Sequence, residues 1–312
     1  MKLIATLPPV YREELLHQIA SHPDISELRY NTGILSHLPV EETVRMLKVV
    51  SDHYHKPLWI DLKGRQLRVT RWAFPDYGKV EVNHNVSVDG DAFVCFRDGD
   101  KVRLKFASGN VLYLDPPPRQ AVGQGQSLVV LGDGVTIDGY LTGADKQYIE
   151  AAALCGHNRF LLSFVEQGQD VIDVHTEYMC ARTRAKLPHQ QLELGLKIES
   201  PRGFDVVASL TSHQMPITRY RLMAARDDLF TTMNNDGKRV IEAMRTIIKA
   251  DPSAILASRI MSGIEHNGQT TLSDATDIEC ARHMGYTNFM LSDGICHRHF
   301  AKAMETWRAL IS

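Results

Sequence analysis

Apolar residues gather into short runs, and these runs alternate with longer stretches in which apolar positions recur every three or four residues. The short runs fall at residues 3–7, 27–31, 58–62, 159–164, 192–198, 220–225, 254–260 and 288–291. Helical spacing covers 40–53, 144–154, 171–186, 238–249, 274–284 and 299–310. Alternating strands and helices predict a parallel sheet with crossover helices, and eight strands is the number that closes it into a (β/α)8 TIM barrel.

One connection breaks the rhythm. From about residue 69 to 137 the helical spacing disappears, and short alternating strands are expected at 80–86, 92–97, 101–106, 111–114 and 127–131. Turn residues separate them, at Asp89-Gly90-Asp91, Asp98-Gly99-Asp100 and Ser108-Gly109-Asn110. Pro116-Pro117-Pro118 and Gly123-Gln124-Gly125 read as turns or linkers, since no helix follows them. The pattern gives an α/β barrel from residues 1–68 and 138–312, with a small all-β lid domain at 69–137 inserted after strand three. That is the end of the barrel where barrel enzymes do their chemistry, so the insert is expected to close over a bound substrate and exclude water.

Composition narrows the function classes. The 312 residues are 44% hydrophobic, enough for a barrel core, and 35 basic against 37 acidic residues leave a net charge of -2. No global field draws nucleic acid, so no nucleic-acid partner is expected and any anion must be held locally. The opening apolar run is short and ends at Pro8-Pro9, unlike a signal peptide, and no run of about 20 apolar residues predicts a membrane span. Five scattered cysteines without CxxC spacing fit reduced thiols in the cytoplasm.

Candidate chemistry begins at Leu194-Gly195-Leu196-Lys197-Ile198-Glu199. Strand residues two apart share a face, so an ammonium and a carboxylate stand together at one strand mouth. Such a pair holds a phosphate and a metal, or it is a structural ion pair. His53 with His55, and Cys296-His297-Arg298-His299, lack four ligands at a recognised spacing and read as solvated or capping groups. Met223, Met244, Met261, Met284 and Met290 read as core, and Thr270-Thr271-Leu272-Ser273-Asp274 as a helix start.

In order and spacing, a series of segments resembles the pyruvate kinase family over nearly the whole chain. Arg29-Tyr30-Asn31 is similar to that family's Arg-x-Asn. Asp61-Leu62-Lys63-Gly64-Arg65-Gln66-Leu67-Arg68 resembles its Asp-Thr-Lys-Gly-Pro-Glu-Ile-Arg, after which the family also inserts a β-rich lid. The opening Lys2 to Pro9, Gly132-Asp133-Gly134, Ser163-Phe164-Val165, Lys197-Ile198-Glu199, Met223 to Leu229 and Met290-Leu291-Ser292 follow in register. The resemblance implies Mg2+ (or Mn2+) on Glu199 and Asp228. It also implies Lys197 and Arg29 neutralising a phosphoryl group in transit, with Lys63 and Arg68 in the same basin. Arg68, Asp227, Asp228 and Ser258 would line the substrate, Ser258 standing where the family has a Thr near the reactive carbon. Asn31 and Asp61 resemble part of the family's monovalent-cation (K+) site, with Gly33 in place of a coordinating Ser and Gln66 in place of Glu. The implied activity is Mg-dependent phosphoryl transfer between phosphoenolpyruvate, or a close analogue, and a nucleotide such as ADP.

Three departures bear on substrate and regulation. The family's Arg-Gly-Asp-Leu-Gly, whose amides receive the substrate carboxylate, reads Arg226-Asp227-Asp228-Leu229-Phe230 here. An Asp227 carboxylate about 4 Å from a substrate carboxylate would repel it by on the order of 4 kcal/mol at an effective dielectric near 20. The last strand reads Ser292-Asp293-Gly294-Ile295 where Ser-Gly-Glu-Thr is expected, and Arg259 adds a cation after Ser258. The sequence ends at Ser312, after the eighth helix, so the family's allosteric C-terminal domain is not expected and a dimer replaces its larger oligomer. Two other readings stand beside the kinase: a metal-dependent lyase or aldolase acting on a 2-oxo acid at the same site, and a non-catalytic paralogue.

Overall fold

The computed structural model describes residues 1–34, 36–74, 78–96, 99–212 and 219–311. Arg97, the expected last residue of one strand, and Asp98, the first of one turn, lie outside the described residues. The chain divides into two compact units, residues 1–62 with 146–312, and residues 63–145. The second takes in 63–68 and 138–145 beyond the expected insert, because Leu67–Arg68 pairs with Ser127–Leu128 and the amides of Lys63 and Gly64 donate to Asp145.

In chain order the first unit begins with β1 (Lys2–Thr6), α1 (Glu13–Ser21), β2 (Glu27–Asn31), α2 (Val40–His53) and β3 (Leu58–Leu62). The β-rich unit holds β4 (Leu67–Arg68), β5 (Lys79–Glu81), β6 (Val86–Asp89), β7 (Ala92–Phe96), β8 (Lys101–Ser108), β9 (Val111–Leu114), β10 (Ser127–Leu131) and β11 (Gly134–Ile137). The chain then continues with α3 (Gly143–Leu154), β12 (Arg159–Leu162), α4 (Gly168–Arg184), β13 (Glu193–Ile198), α5 (Gly203–Ser212), β14 (Arg219–Ala225), α6 (Arg226–Thr232) and α7 (Gly237–Ala250). It ends with β15 (Ile255–Ala257), α8 (Ser262–Asn267), α9 (Leu272–His283), β16 (Asn288–Met290), α10 (Asp293–Arg298) and α11 (Phe300–Ile311).

Eight parallel strands close in the order β1-β16-β15-β14-β13-β12-β3-β2. Leu58–Leu62 is buried at every position, as a strand covered on both faces requires. The crossover helices bury one stripe each: α7 buries Val240, Ala243, Met244, Ile247 and Ile248, and Asp236 caps it by accepting from the amides of Lys238 and Arg239. Thr271 caps α9 in a capping box with Asp274, which fixes the expected helix start. Ile4, Trp59, Leu161, Met223, Ile255, Ala257 and Met290 form an apolar cluster. Each of Ile4, Trp59 and Leu161 precedes by two the residues Thr6, Asp61 and Ser163, so these share one strand face.

The β-rich unit has its own core, in which Val80, Val94, Val102, Leu104, Leu112 and Leu128 are buried. Its six-stranded sheet runs β4-β10-β7-β8-β9-β5, and β11 pairs with β6 in a two-stranded sheet. The expected single strand at 80–86 is two strands here, β5 and β6, which enter different sheets.

Candidate active site

The carboxyl ends of the barrel strands bring together a buried chain of alternating charge. Arg29, at the end of β2, donates through Nε and Nη2 to Oδ2 of Asp61 on β3, at 2.8 and 2.5 Å. Its Nη1 donates to Thr6 Oγ1 at 2.9 Å and to Asp293 Oδ1 at 3.2 Å. Lys197 on β13 donates to Ser163 Oγ at 2.8 Å and lies 3.5 Å from Asp61 Oδ1 and 3.1 Å from Glu199 Oε1. Asp61 is 0% exposed and Glu199 1%. Buried charges of this kind persist only when paired, and here Arg29 reaches Asp61 diagonally, since the register sets Arg29 beside Trp59 and Asn31 beside Asp61 across β2 and β3.

The backbone completes the arrangement. Phe164, just past β12, adopts φ 49, a strained value for a bulky residue, and its N–H donates to Glu199 Oε2 at 2.7 Å. The Ser163 hydroxyl donates to the Leu62 carbonyl oxygen at 2.8 Å, which leaves its own oxygen to accept from Lys197.

The electrostatics follow from two cations shared among four carboxylates. Burial alone would lower the Lys197 ammonium, but Asp61 and then Glu199 outweigh it and hold it above its ordinary value. Burial acts on Glu199 in the opposite sense and pushes its carboxyl up to about 7, with Asp228 and Asp61 adding to the rise against Lys197 and the Phe164 amide. One lysine between several carboxylates cannot neutralise them all, so both members of the pair are raised. If all four were ionised, Asp293, Asp61, Glu199 and Asp228 against Arg29 and Lys197 would leave an excess of two negative charges among these six side chains, which the raised Glu199 carboxyl relieves by keeping its proton.

That excess bears on a metal. Glu199 and Asp228 are hard oxygen groups close enough to raise one another's charge cost, and a divalent cation would discharge them. Among the described residues no group of three His, Cys, Asp or Glu could surround one ion. A divalent cation held by Glu199 and Asp228 would have to take its remaining ligands from substrate and water oxygens. The expected K+ site fits less well. Asn31 Oδ1 accepts from the Gly33 amide at 3.0 Å, its Nδ2 donates to Asp293 Oδ2 at 2.7 Å, and Asp61 Oδ2 is held by Arg29. These residues form an internal hydrogen-bond set rather than a K+ cage.

The substrate end differs from expectation in an informative way. Asp227 Oδ1 accepts from Arg259 Nε at 2.5 Å, so its charge is balanced by the cation that follows Ser258. Arg259 also lies over the Phe230 ring at 4.7 Å. Ser258, Arg259 and Met261 all have left-handed backbone, at φ 65, 59 and 57, which ends β15 at Ala257 instead of residue 260. Arg226 supports this loop, donating to the Ser258 carbonyl at 2.6 Å and to both oxygens of Asp277.

Lys63 and Arg68 belong to the β-rich unit. There the Lys63 amide donates to Asp145 at 2.8 Å, and the Arg68 guanidinium donates to Gln66 Oε1 and the Gly125 carbonyl. Sequence reasoning missed three members of the barrel cluster. Thr6 and Ser163 stand inside segments that resemble the family, Lys2 to Pro9 and Ser163-Phe164-Val165, but the resemblance implies no role for either, and Asp293 stands out only as a departure. The signal available for all three was their place, each at the carboxyl end of a barrel strand.

No family model matches the chain, and no curated protein matches its sequence. Among solved structures it is similar to pyruvate kinase from Pyrobaculum aerophilum, over 100% of this chain and 73% of that one, with a TM-score of 0.69 and 15% identity. The fold is pyruvate kinase-like. At that identity the likeness is one of architecture, a closed eight-stranded parallel barrel with a separate antiparallel β unit. No helix among the described residues is long and apolar enough to cross a membrane.

Proposed function

We propose that this chain is a Mg2+-dependent phosphotransferase that moves a phosphoryl group between phosphoenolpyruvate, or a close analogue, and a nucleotide such as ADP. The observation that carries this reading is the buried series Arg29, Asp61, Lys197 and Glu199, with Asp228 beside it. In the reaction the phosphorus to enol-oxygen bond breaks, a bond to a terminal nucleotide oxygen forms, and the enolate gains a proton at carbon to give pyruvate. Phosphoryl transfer asks for alignment and charge compensation more than for covalent help.

Lys197 provides a fixed positive charge, oriented by Ser163 and by Asp61. Arg29 is locked by Asp61, Thr6 and Asp293, so its role is to set the potential of the basin and the position of Asp61. Glu199 and Asp228 would hold the divalent cation, which supplies Lewis-acid compensation of phosphoryl charge. Asp227, neutralised by Arg259, does not by itself repel a carboxylate. The replaced glycines at Asp227 and Phe230 support a second reading, a metal-dependent lyase or aldolase on a 2-oxo acid at the same mouth.

The test is a coupled assay of pyruvate formation from phosphoenolpyruvate and ADP with Mg2+. The expected result is turnover that Lys197→Met and Glu199→Ala abolish, with Mg2+ binding retained in the first variant and lost in the second. Turnover equal to wild type in Lys197→Met would refute the role given to that residue. No turnover, together with Mg2+-dependent calorimetric binding of a 2-oxo acid, would favour the lyase.

A further inference from the structure

The opposite end of the barrel carries a second constellation that the proposed reaction does not use. A cavity of about 1090 Å³ opens at the amino ends of the strands, lined among others by Lys2, Glu27, Trp59, Arg159, Glu193, Arg219, Arg221 and Asn288. Barrel interiors are ordinarily packed with branched apolar side chains. Here the floor is polar. Glu27, 6% exposed, accepts from the Trp59 indole at 2.6 Å and from Arg221 Nη2 at 2.5 Å, and the Arg221 guanidinium lies 4.8 Å from the Trp59 ring. Arg159 is tied to Glu193 through Nε and Nη2, at 2.8 and 3.1 Å.

Two cation-carboxylate pairs therefore cancel, while Lys2 and Arg219 also line the cavity and, among the described residues, no carboxylate pairs with either. Among the lining side chains, four cations against two carboxylates give an excess of two positive charges in a chain whose net charge is -2. Arg221 has a largely buried side chain and gives one of its five N–H donors to Glu27. The other donors remain for whatever fills the cavity. A hollow of this size, with a charged floor beside one indole and convergent guanidinium donors, suits a small charged ligand.

We infer that the amino-terminal basin of the barrel is a binding site for a small dianion of the phosphate or phosphomonoester class, held by Arg221, Arg219, Arg159 and Lys2. Guanidinium groups recognise phosphate oxygens in pairs, and an excess of two charges matches a dianion. The same strands serve both ends at the two-residue period: Glu27 leads to Arg29, Trp59 to Asp61, and Arg159 through Leu161 to Ser163. Trp59 thus reports on the basin from the strand that carries Asp61.

The experiment titrates the full chain with inorganic phosphate and with methyl phosphate, reading tryptophan fluorescence and calorimetric heat, against chloride at matched ionic strength. A saturable change below on the order of 10 mM is expected. It should weaken about tenfold or more in the Lys2→Ser/Arg219→Ser double variant, whose two sites are exposed. Because the catalytic mouth also takes phosphate, Lys197→Met is run in parallel, and basin binding should survive it unchanged. A Trp59→Phe variant should lose the fluorescence change while keeping the heat. The inference is overturned if no saturable response occurs, if the double variant binds like wild type, or if the response vanishes only in Lys197→Met. That last outcome would assign the anion to the catalytic mouth and leave the proposed reaction standing.

Discussion

Raising the pH should withdraw the stability that the protonated Glu199 carboxyl contributes, and Mg2+ should restore it. Glu199 titrates near 4.5 in an unfolded chain and near 7 in the folded one, chiefly through burial. Between those values the folded chain keeps a proton that the unfolded chain has released, so stability falls as pH rises through the window. The loss is complete above about pH 7 and amounts to on the order of 3 kcal/mol. Lys197 stays charged throughout this range, whereas His157, whose imidazole burial pushes down to about 4, gains stability as pH rises, so the Glu199 contribution is the difference between wild type and Glu199→Gln. A divalent cation binds the ionised carboxylate and must displace the proton below pH 7. At a Mg2+ concentration about 100 times the dissociation constant at pH 8, the gain is about 2.7 kcal/mol. At pH 5.5 the proton competes for the same carboxylate, so the apparent affinity falls by an order of magnitude or more and the same concentration stabilises the fold markedly less. The assay is urea unfolding followed by circular dichroism at pH 5.5 and pH 8, with MgCl2 against NaCl of equal ionic strength, for wild type and Glu199→Gln. An equal Mg2+ effect at both pH values, or one that persists in Glu199→Gln, would refute the placing of the metal on this carboxylate.

Two further substitutions probe the frame around the site. Gly195 lies two residues before Lys197, and a Cβ there would overlap Cδ2 of Leu161 in the barrel core. Gly195→Ala should therefore destabilise by about 1–3 kcal/mol in chemical denaturation, and a neutral result would mean that the core yields at this point. Asp227 and Arg259 are each half exposed, so Asp227→Gly should change stability by less than about 1 kcal/mol. In the coupled assay the same substitution should raise activity with phosphoenolpyruvate if Asp227 and Arg259 mark an altered specificity, and unchanged activity would remove that role.

Much of the barrel can be read from the sequence because its strands are continuous apolar runs between breakers. Pro57 precedes Leu58–Leu62 and Gly64 follows it, and the structure has that strand with those bounds. The early end of β15 is not legible, since Ser258-Arg259-Ile260-Met261 contains no Gly or Asn to announce left-handed backbone. Tertiary contacts stabilise it there: Arg226, from the end of the neighbouring strand, holds the Ser258 carbonyl. The division of 80–86 between two sheets is hidden for a similar reason, as alternation gives the strand face but not the partner. At the site, Lys197 and Glu199 are visible as a local pair. The bond from Arg29 to Asp293 joins residues far apart in sequence and exists only once the barrel has closed.

That closure has a kinetic side. The seam pairs Lys2 with Asn288 and Ile4 with Met290, so the first strand waits for the last before its second edge is covered. At about 5–20 residues per second a ribosome needs roughly 15–60 s to make the intervening chain. For that interval β1 has an open, apolar edge, the kind of surface that recruits stray strands. Yield in the cell should therefore depend on how well the nascent chain is shielded during synthesis, and refolding of the intact chain from urea should aggregate less as protein concentration is lowered.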